Sequence, residues 1–166
     1  MTDADRRSAL VVVAAEAERV VGDWRLRYQP EAVDRGLPPH LTILFPFVRA
    51  TEIDDDLLTE LRRLYAPTRP FAYELATVES FPDAAWLAPV PAEPFHALVE
   101  IAREAFPERP PYGDPGHVVV PHCTIGTDDD PEAVESMVRE LREDLGPQLP
   151  IRCHATELVL LVEGTD

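Results

Sequence analysis

The stretches PPHLTILFPF (38–47) and VPHCTIG (120–126) both contain Pro-His-x-Thr-Ile, about half a chain apart. Alternate residues of a strand share a face, so His40 pairs with Thr42 and His122 with Thr124. Leu41, Ile43, Cys123 and Ile125 then point to the opposite, apolar side. Any fold for this chain has to find a use for two such strands.

The surrounding sequence repeats the same order of elements. In the first half, ALVVVAA (9–15) reads as a buried strand, followed by short helices and loops over 16–37, where Gly22 and Pro30 interrupt the helical spacing. The first motif strand comes next, at about 38–48. A helix over 51–67 carries acidic residues at its start and Leu57, Leu58, Leu61 and Leu64 on one face, and a strand follows at 71–81. The second half gives a strand at 84–90, a helix at 93–106, a Pro/Gly-rich loop over 107–117, expected to be mobile, and the second motif strand at about 117–126. A helix over 129–146 and a closing strand over 151–163 complete it. The last strands share an Ala-Thr pair, Ala76–Thr77 and Ala155–Thr156. These patterns predict one domain over 1–166, of class α+β, made of a duplicated unit with two pseudo-symmetric lobes about a twofold axis. The axis would bring the two His/Thr pairs face to face across a cleft.

Composition narrows the partners. The 31 acidic and 15 basic side chains leave a formal charge of −16, and every basic residue is arginine. A protein that tracks a phosphate backbone carries a basic stripe. Here the densest basic clusters are the pairs Arg6–Arg7 and Arg62–Arg63, so long nucleic acid is not an expected partner. No apolar run approaches the roughly 18 residues of a membrane span. The start, MTDADRRSAL, does not read as a signal peptide. Cys123 and Cys153 form neither a disulfide framework nor a metal quartet and read as buried thiols in a reducing cytoplasm. The histidine spacing matches no closed metal motif, and the acidic runs at 54–56 and 128–130 read as helix starts. No metal and no cofactor are expected, and the chain is read as a monomer.

Two imidazoles flanking a cleft suit cleavage of a phosphodiester. One takes a proton from the attacking oxygen and the other returns one to the leaving oxygen. The Thr42 and Thr124 hydroxyls can donate to the non-bridging oxygens, where charge builds. Arg25 is a candidate phosphate cation, and Phe47 and Trp86 are candidates to stack a base. His96, His117 and His154 read as surface or structural residues.

HLT at 40–42 and HCT at 122–124 resemble the paired signature of the 2H phosphoesterase superfamily. The wider pattern, over roughly residues 9–163, resembles its 2′-5′ RNA ligase-like (LigT-like) branch. Carrying the resemblance are the stretch from VVVAAEAERVV to LFPF, with Arg25, Gly36, Pro39 and Pro46–Phe47, together with AAWLAPVP and VPHCTIG. It implies a bilobal fold of two antiparallel β-sheets facing a central cleft, with helices outside. It further implies His40 and His122 as acid and base, Thr42 and Thr124 as phosphate contacts, and metal-independent action on 2′-5′ linkages or cyclic phosphates of small nucleotides or RNA ends. The alternative is a non-catalytic nucleotide or RNA-end-binding module that uses the same cleft.

Overall fold

The computed structural model describes residues 6–164. Residues 1–5, where the leader reading began, and the last two residues of the expected domain lie outside the described residues.

Seven strands form one antiparallel array: β1 (Ser8–Val13), β2 (His40–Leu44), β3 (Phe71–Phe81), β4 (Ala84–Val90), β5 (Cys123–Thr127), β6 (Ile151–Ala155) and β7 (Val159–Val162). Their order across the sheet is β6-β3-β4-β5-β2-β1-β7. The two sheets expected from the sequence are therefore two halves of one array, joined between the motif strands β2 and β5 by the pair Leu41–Cys123.

The halves exchange their ends. β3, which closes the first half, pairs with β4, which opens the second, while β7 from the second half pairs with β1 of the first. Outward from the β5–β2 seam, β4 corresponds to β1 and β3 to β7. The expected closing strand 151–163 is two strands, and the shared Ala-Thr pairs do not correspond. Ala76 sits where the β3–β4 register shifts, whereas Ala155 ends β6, which has no counterpart in the other half.

This topology requires a curled sheet. β6 and β7 lie at opposite edges, which in a flat sheet of seven strands would be about 29 Å apart. Three residues, 156–158, connect them, and that length of chain reaches at most about 15 Å. The edges must come together, so the sheet bends into an open barrel.

The helices are α1 (Glu18–Tyr28), α2 (Pro30–Asp34), α3 (Asp55–Tyr65), α4 (Glu93–Ala105) and α5 (Pro131–Glu140), the last continuing in a wide π turn through Leu145. Asp54 and Asp130 cap α3 and α5 by accepting the backbone N–H groups of Leu57 (2.8 Å) and Glu132 (3.0 Å), so both acidic runs act as helix starts. Region 16–37 is more regular than its sequence suggests. α1 runs straight through Gly22, and Pro30 opens α2, where its missing N–H costs nothing. Val21 of α1, Phe95, Leu98, Val99 and Ala102 of α4, and Val134, Met137 and Val138 of α5 are buried with Leu41, Ile43, Leu75, Leu87 and Ile125 of the sheet. Each of these side chains larger than alanine contributes about 1.5–3 kcal/mol when removed from water, and this packing holds one face of the sheet against helices. Among the described residues no helix is long and apolar enough to cross a membrane.

Candidate active site

Both motif strands carry the same irregularity. Thr42 lies opposite Val11 and Leu44 opposite Leu10, which leaves Ile43 without a partner. Thr124 lies opposite Trp86 and Gly126 opposite Ala85, which leaves Ile125 without one. Each Ile is thus the extra residue of a β-bulge, and both are buried, at 1% and 0% exposure. A bulge re-aims the residues around it. Here it sends the two Ile side chains into the core immediately after each Thr. That accounts for the recurrence of Ile as well as of His and Thr.

The seam fixes the site. Leu41 faces Cys123 in an antiparallel pair, and both are fully buried. Continuing that register by one residue in each direction sets His40 opposite Thr124 and Thr42 opposite His122. Strand alternation then turns all four side chains to the face opposite the buried Leu41–Cys123 pair, so they stand around it as a square with the imidazoles on one diagonal and the hydroxyls on the other. Their faces are half-buried, alternating with fully buried neighbours on both strands. The expected second strand, 117–126, forms its ladder only from Cys123. Pro121 has no N–H to give a ladder, and Val118 and Val120 are 78% and 41% exposed.

The two histidines are held alike. His40 Nδ1 lies 2.8 Å from the carbonyl of Pro38, and His122 Nδ1 lies 2.7 Å from that of Val120. A carbonyl can only accept, so each Nδ1 carries the proton, and in the neutral ring Nε2 is left as the free acceptor. Burial pushes the pKa of both below the usual histidine value. For His40 the Pro38 carbonyl opposes this, while the charges of Arg25 and His122 add to it. For His122 both the Val120 carbonyl and Asp83 oppose it.

Trp86 flanks the site. It shares the face of Thr124, its ring centroid lies 5.7 Å from that of His122, and its indole N–H has no partner. Phe81 stands edge-on to His122 at 5.0 Å and packs on Trp86 at 4.9 Å. Sequence reading missed Phe81, although the turn at Pro82–Asp83 sets 81 opposite 84 and 79 opposite 86, which puts residues 79 and 81 on the face of Trp86.

Two expectations are corrected. Arg25 is 2% exposed. Its guanidinium donates to the Leu37 carbonyl at 2.7 Å and lies 3.6 Å from Glu18, so it is held in the interior rather than presented at the surface. Phe47 is 3% exposed and packs edge-on against Phe106 at 4.9 Å, leaving no free ring face for a base. Phe45 is the aromatic that lies on the side of the motif, because the bulge at Ile43 shifts the alternation by one. His96 is exposed on α4, and exposed His154 meets Glu16 at 3.3 Å. Among the described residues no three His, Cys, Asp or Glu side chains gather as a metal ion would need.

The family model of the 2′-5′ RNA ligase superfamily matches residues 12–166. The chain belongs to this superfamily. Such a match over nearly the whole chain agrees with the 2H phosphoesterase, LigT-like pattern read from the two motifs. A Geobacillus kaustophilus protein that bears the name "Putative phosphoesterase" is 33% identical over 92 residues, which is 55% of this chain and 53% of the relative. The aligned part therefore spans about half the length of that curated relative. Among solved structures, Escherichia coli LigT in complex with 3′-AMP superposes with a TM-score of 0.62 at 20% identity, covering 97% of this chain and 90% of LigT. The superfamily member described here thus has the α+β LigT-like fold, with one curled antiparallel sheet and its helices outside.

Proposed function

We propose that this 2′-5′ RNA ligase superfamily member is a metal-independent phosphodiesterase that hydrolyses cyclic phosphates, such as 2′,3′-cyclic phosphates, or 2′-5′ linkages in small nucleotides or RNA ends. The observation that carries the reading is the Leu41–Cys123 pair of the β2–β5 seam, which supports a square of His40, Thr42, His122 and Thr124 on its other face. With one imidazole neutral and the other protonated, the neutral Nε2 accepts a proton as water oxygen bonds to phosphorus. The imidazolium gives its proton to the ribose oxygen as the P–O bond to it breaks, leaving a phosphomonoester. The threonine hydroxyls donate to the non-bridging oxygens through the step.

Charge supports a small substrate, because a shell carrying −16 repels a long polyanion. The 3′-AMP held by LigT supports a nucleoside monophosphate as the class of product. The test is hydrolysis of 2′,3′-cyclic nucleotides and 2′-5′ dinucleotides, in the presence of a chelator, by wild type, His40→Ala and His122→Ala. Each substitution should lower kcat by at least about 10²-fold. Turnover indifferent to both substitutions would refute the mechanism, and turnover abolished by the chelator would refute metal independence.

A further inference from the structure

One residue of the Pro/Gly-rich loop stands in a conformation that its side chain disfavours. Tyr112 has φ 55°, in the left-handed region, and is followed by Gly113 at φ 74°. For a bulky residue this backbone is a genuine outlier. Asn or Gly would occupy it with less strain. Tyr112 is 45% exposed, so the strain is not offset by burial in the core. Strain kept at an exposed aromatic calls for a use of the ring.

The surroundings point to that use. The Tyr112 backbone N–H donates to the Phe45 carbonyl at 2.7 Å, and its ring meets Phe45 edge-on at 6.4 Å and His117 at 4.8 Å. Arg7, on the same face of the first strand as Val11, lays its guanidinium over Phe45 at 5.0 Å and is itself held by Glu163 at 2.8 Å. Phe45 lies three residues beyond Thr42, and Thr42 faces His122 in the continued register. The cluster therefore stands at the Thr42–His122 end of the square, where the exposed Val118 and Val120 lead into His122. The loop, expected to be mobile, is pinned by three side-chain hydrogen bonds besides that of the Tyr112 N–H. Arg109 donates to the Phe47 carbonyl (2.8 Å) and to Glu52 (2.7 Å), and Arg103 donates to the His117 carbonyl.

We infer that Tyr112, backed by Phe45 and His117, is a preorganised platform on which the nucleobase of the substrate stacks, while its phosphate lies among the four motif side chains. This rests on the phosphate-handling reading of those side chains and adds the aromatic base to it. It makes the substrate a nucleotide rather than any small phosphodiester.

The test is direct binding by titration calorimetry, independent of turnover, with adenosine 2′-monophosphate and the base-free glycerol 2-phosphate. Wild type should bind the nucleotide at least about tenfold tighter, as one stacked base provides. Tyr112→Asn, whose backbone tolerates φ 55°, should lose that preference and keep a Tm at or above wild type, and Tyr112→Phe should retain the preference. An unchanged preference in Tyr112→Asn overturns the platform, as does a Tm loss with the preference intact, which would make the ring a clasp for the loop. No preference in wild type also overturns it. Wild type that prefers the nucleotide through Tyr112 yet hydrolyses nothing would refute the catalytic reading and leave the platform standing.

Discussion

Leu41 and Cys123 face each other as the pair that joins the two motif strands, and neither side chain touches water. On the proposed reading, this pair is what sets the separation of His40 from His122. Leu41→Ala opens a cavity directly behind His40 and Thr42 and should cost about 2–5 kcal/mol in urea unfolding, whereas Leu41→Met should cost less than about 1.5 kcal/mol. Because the lost volume lies under the square, Leu41→Ala should also lower kcat under conditions where the protein is fully folded. Full activity in that folded state would show that the seam does not set the histidine spacing.

The pH dependence follows from the two lowered histidine pKa values. The proposed reaction needs one proton shared by the pair. Above the usual histidine value of about 6.5 both rings are neutral and no acid remains, so kcat/KM should peak below pH 6.5 and fall as pH rises. An optimum at pH 7.5 or above would contradict this. Stability moves the other way. As pH falls from 7 toward 5.5 the unfolded histidines take up protons before the folded ones, so stability present above the unfolded pKa is lost on acidification. Thermal unfolding across that range should show a shallower slope in His40→Ala and His122→Ala than in wild type.

The sequence carried the motif, the faces of its residues and the order of the elements, because these depend on local periodicity. It did not carry what depends on pairing across the sheet. The break at 156–158 follows from β6 and β7 having to reach opposite edges, and residues 151–163 give no local sign of it beyond ordinary strand formers. Phe47 lies past the end of β2 at Leu44, where strand alternation no longer sets its face, and its ring packs inward against Phe106. Arg25 reads as a surface cation by type, but its position on the inward side of α1 and the Leu37 carbonyl draw it into the interior. The loop around Tyr112 reads as flexible from its prolines and glycines, and the φ of 55° at Tyr112 and its bond to the Phe45 carbonyl show only in the fold.

The two hydroxyls of the square can be tested without disturbing its shape. Thr42→Val and Thr124→Val replace a hydroxyl by a methyl group on half-buried positions. If each hydroxyl stabilises charge on the phosphate oxygens, each change should lower kcat by about 10²-fold, with a smaller change in KM. Steady-state kinetics on a cyclic nucleotide would check this. A rise in KM alone would make the hydroxyls ground-state contacts.

Gly126, at the end of the second motif strand, is required by a close approach. A Cβ there would lie 2.5 Å from Tyr28 Cβ and 2.5 Å from Met137 Sδ. The Met side chain can swing aside, but Tyr28 Cβ moves only with α1, and the Tyr28 hydroxyl donates to Glu140 at 2.6 Å. Gly126→Ala should therefore cost about 1–3 kcal/mol, and Met137→Ala in the same chain should not restore stability fully. Complete restoration in denaturant melts would place the clash on Met137 alone.

Arg25 links α1 to the first histidine through charge. Its guanidinium is buried, bonded to the Leu37 carbonyl three residues before His40, and its charge helps to hold the His40 pKa down. Arg25→Met keeps much of the apolar bulk and removes the charge. The His40 pKa should then rise toward the usual value, and the His122 pKa, which has no contribution from Arg25, should move less. Proton titration of the two imidazole Cε1–H resonances by NMR separates the two shifts. The acid limb of kcat/KM should move to higher pH in the same variant if His40 is the base, because that limb reports protonation of the base. If the alkaline limb moves instead, His40 is the acid. An unmoved His40 resonance in a folded Arg25→Met protein would show that Arg25 only supports the loop at Leu37.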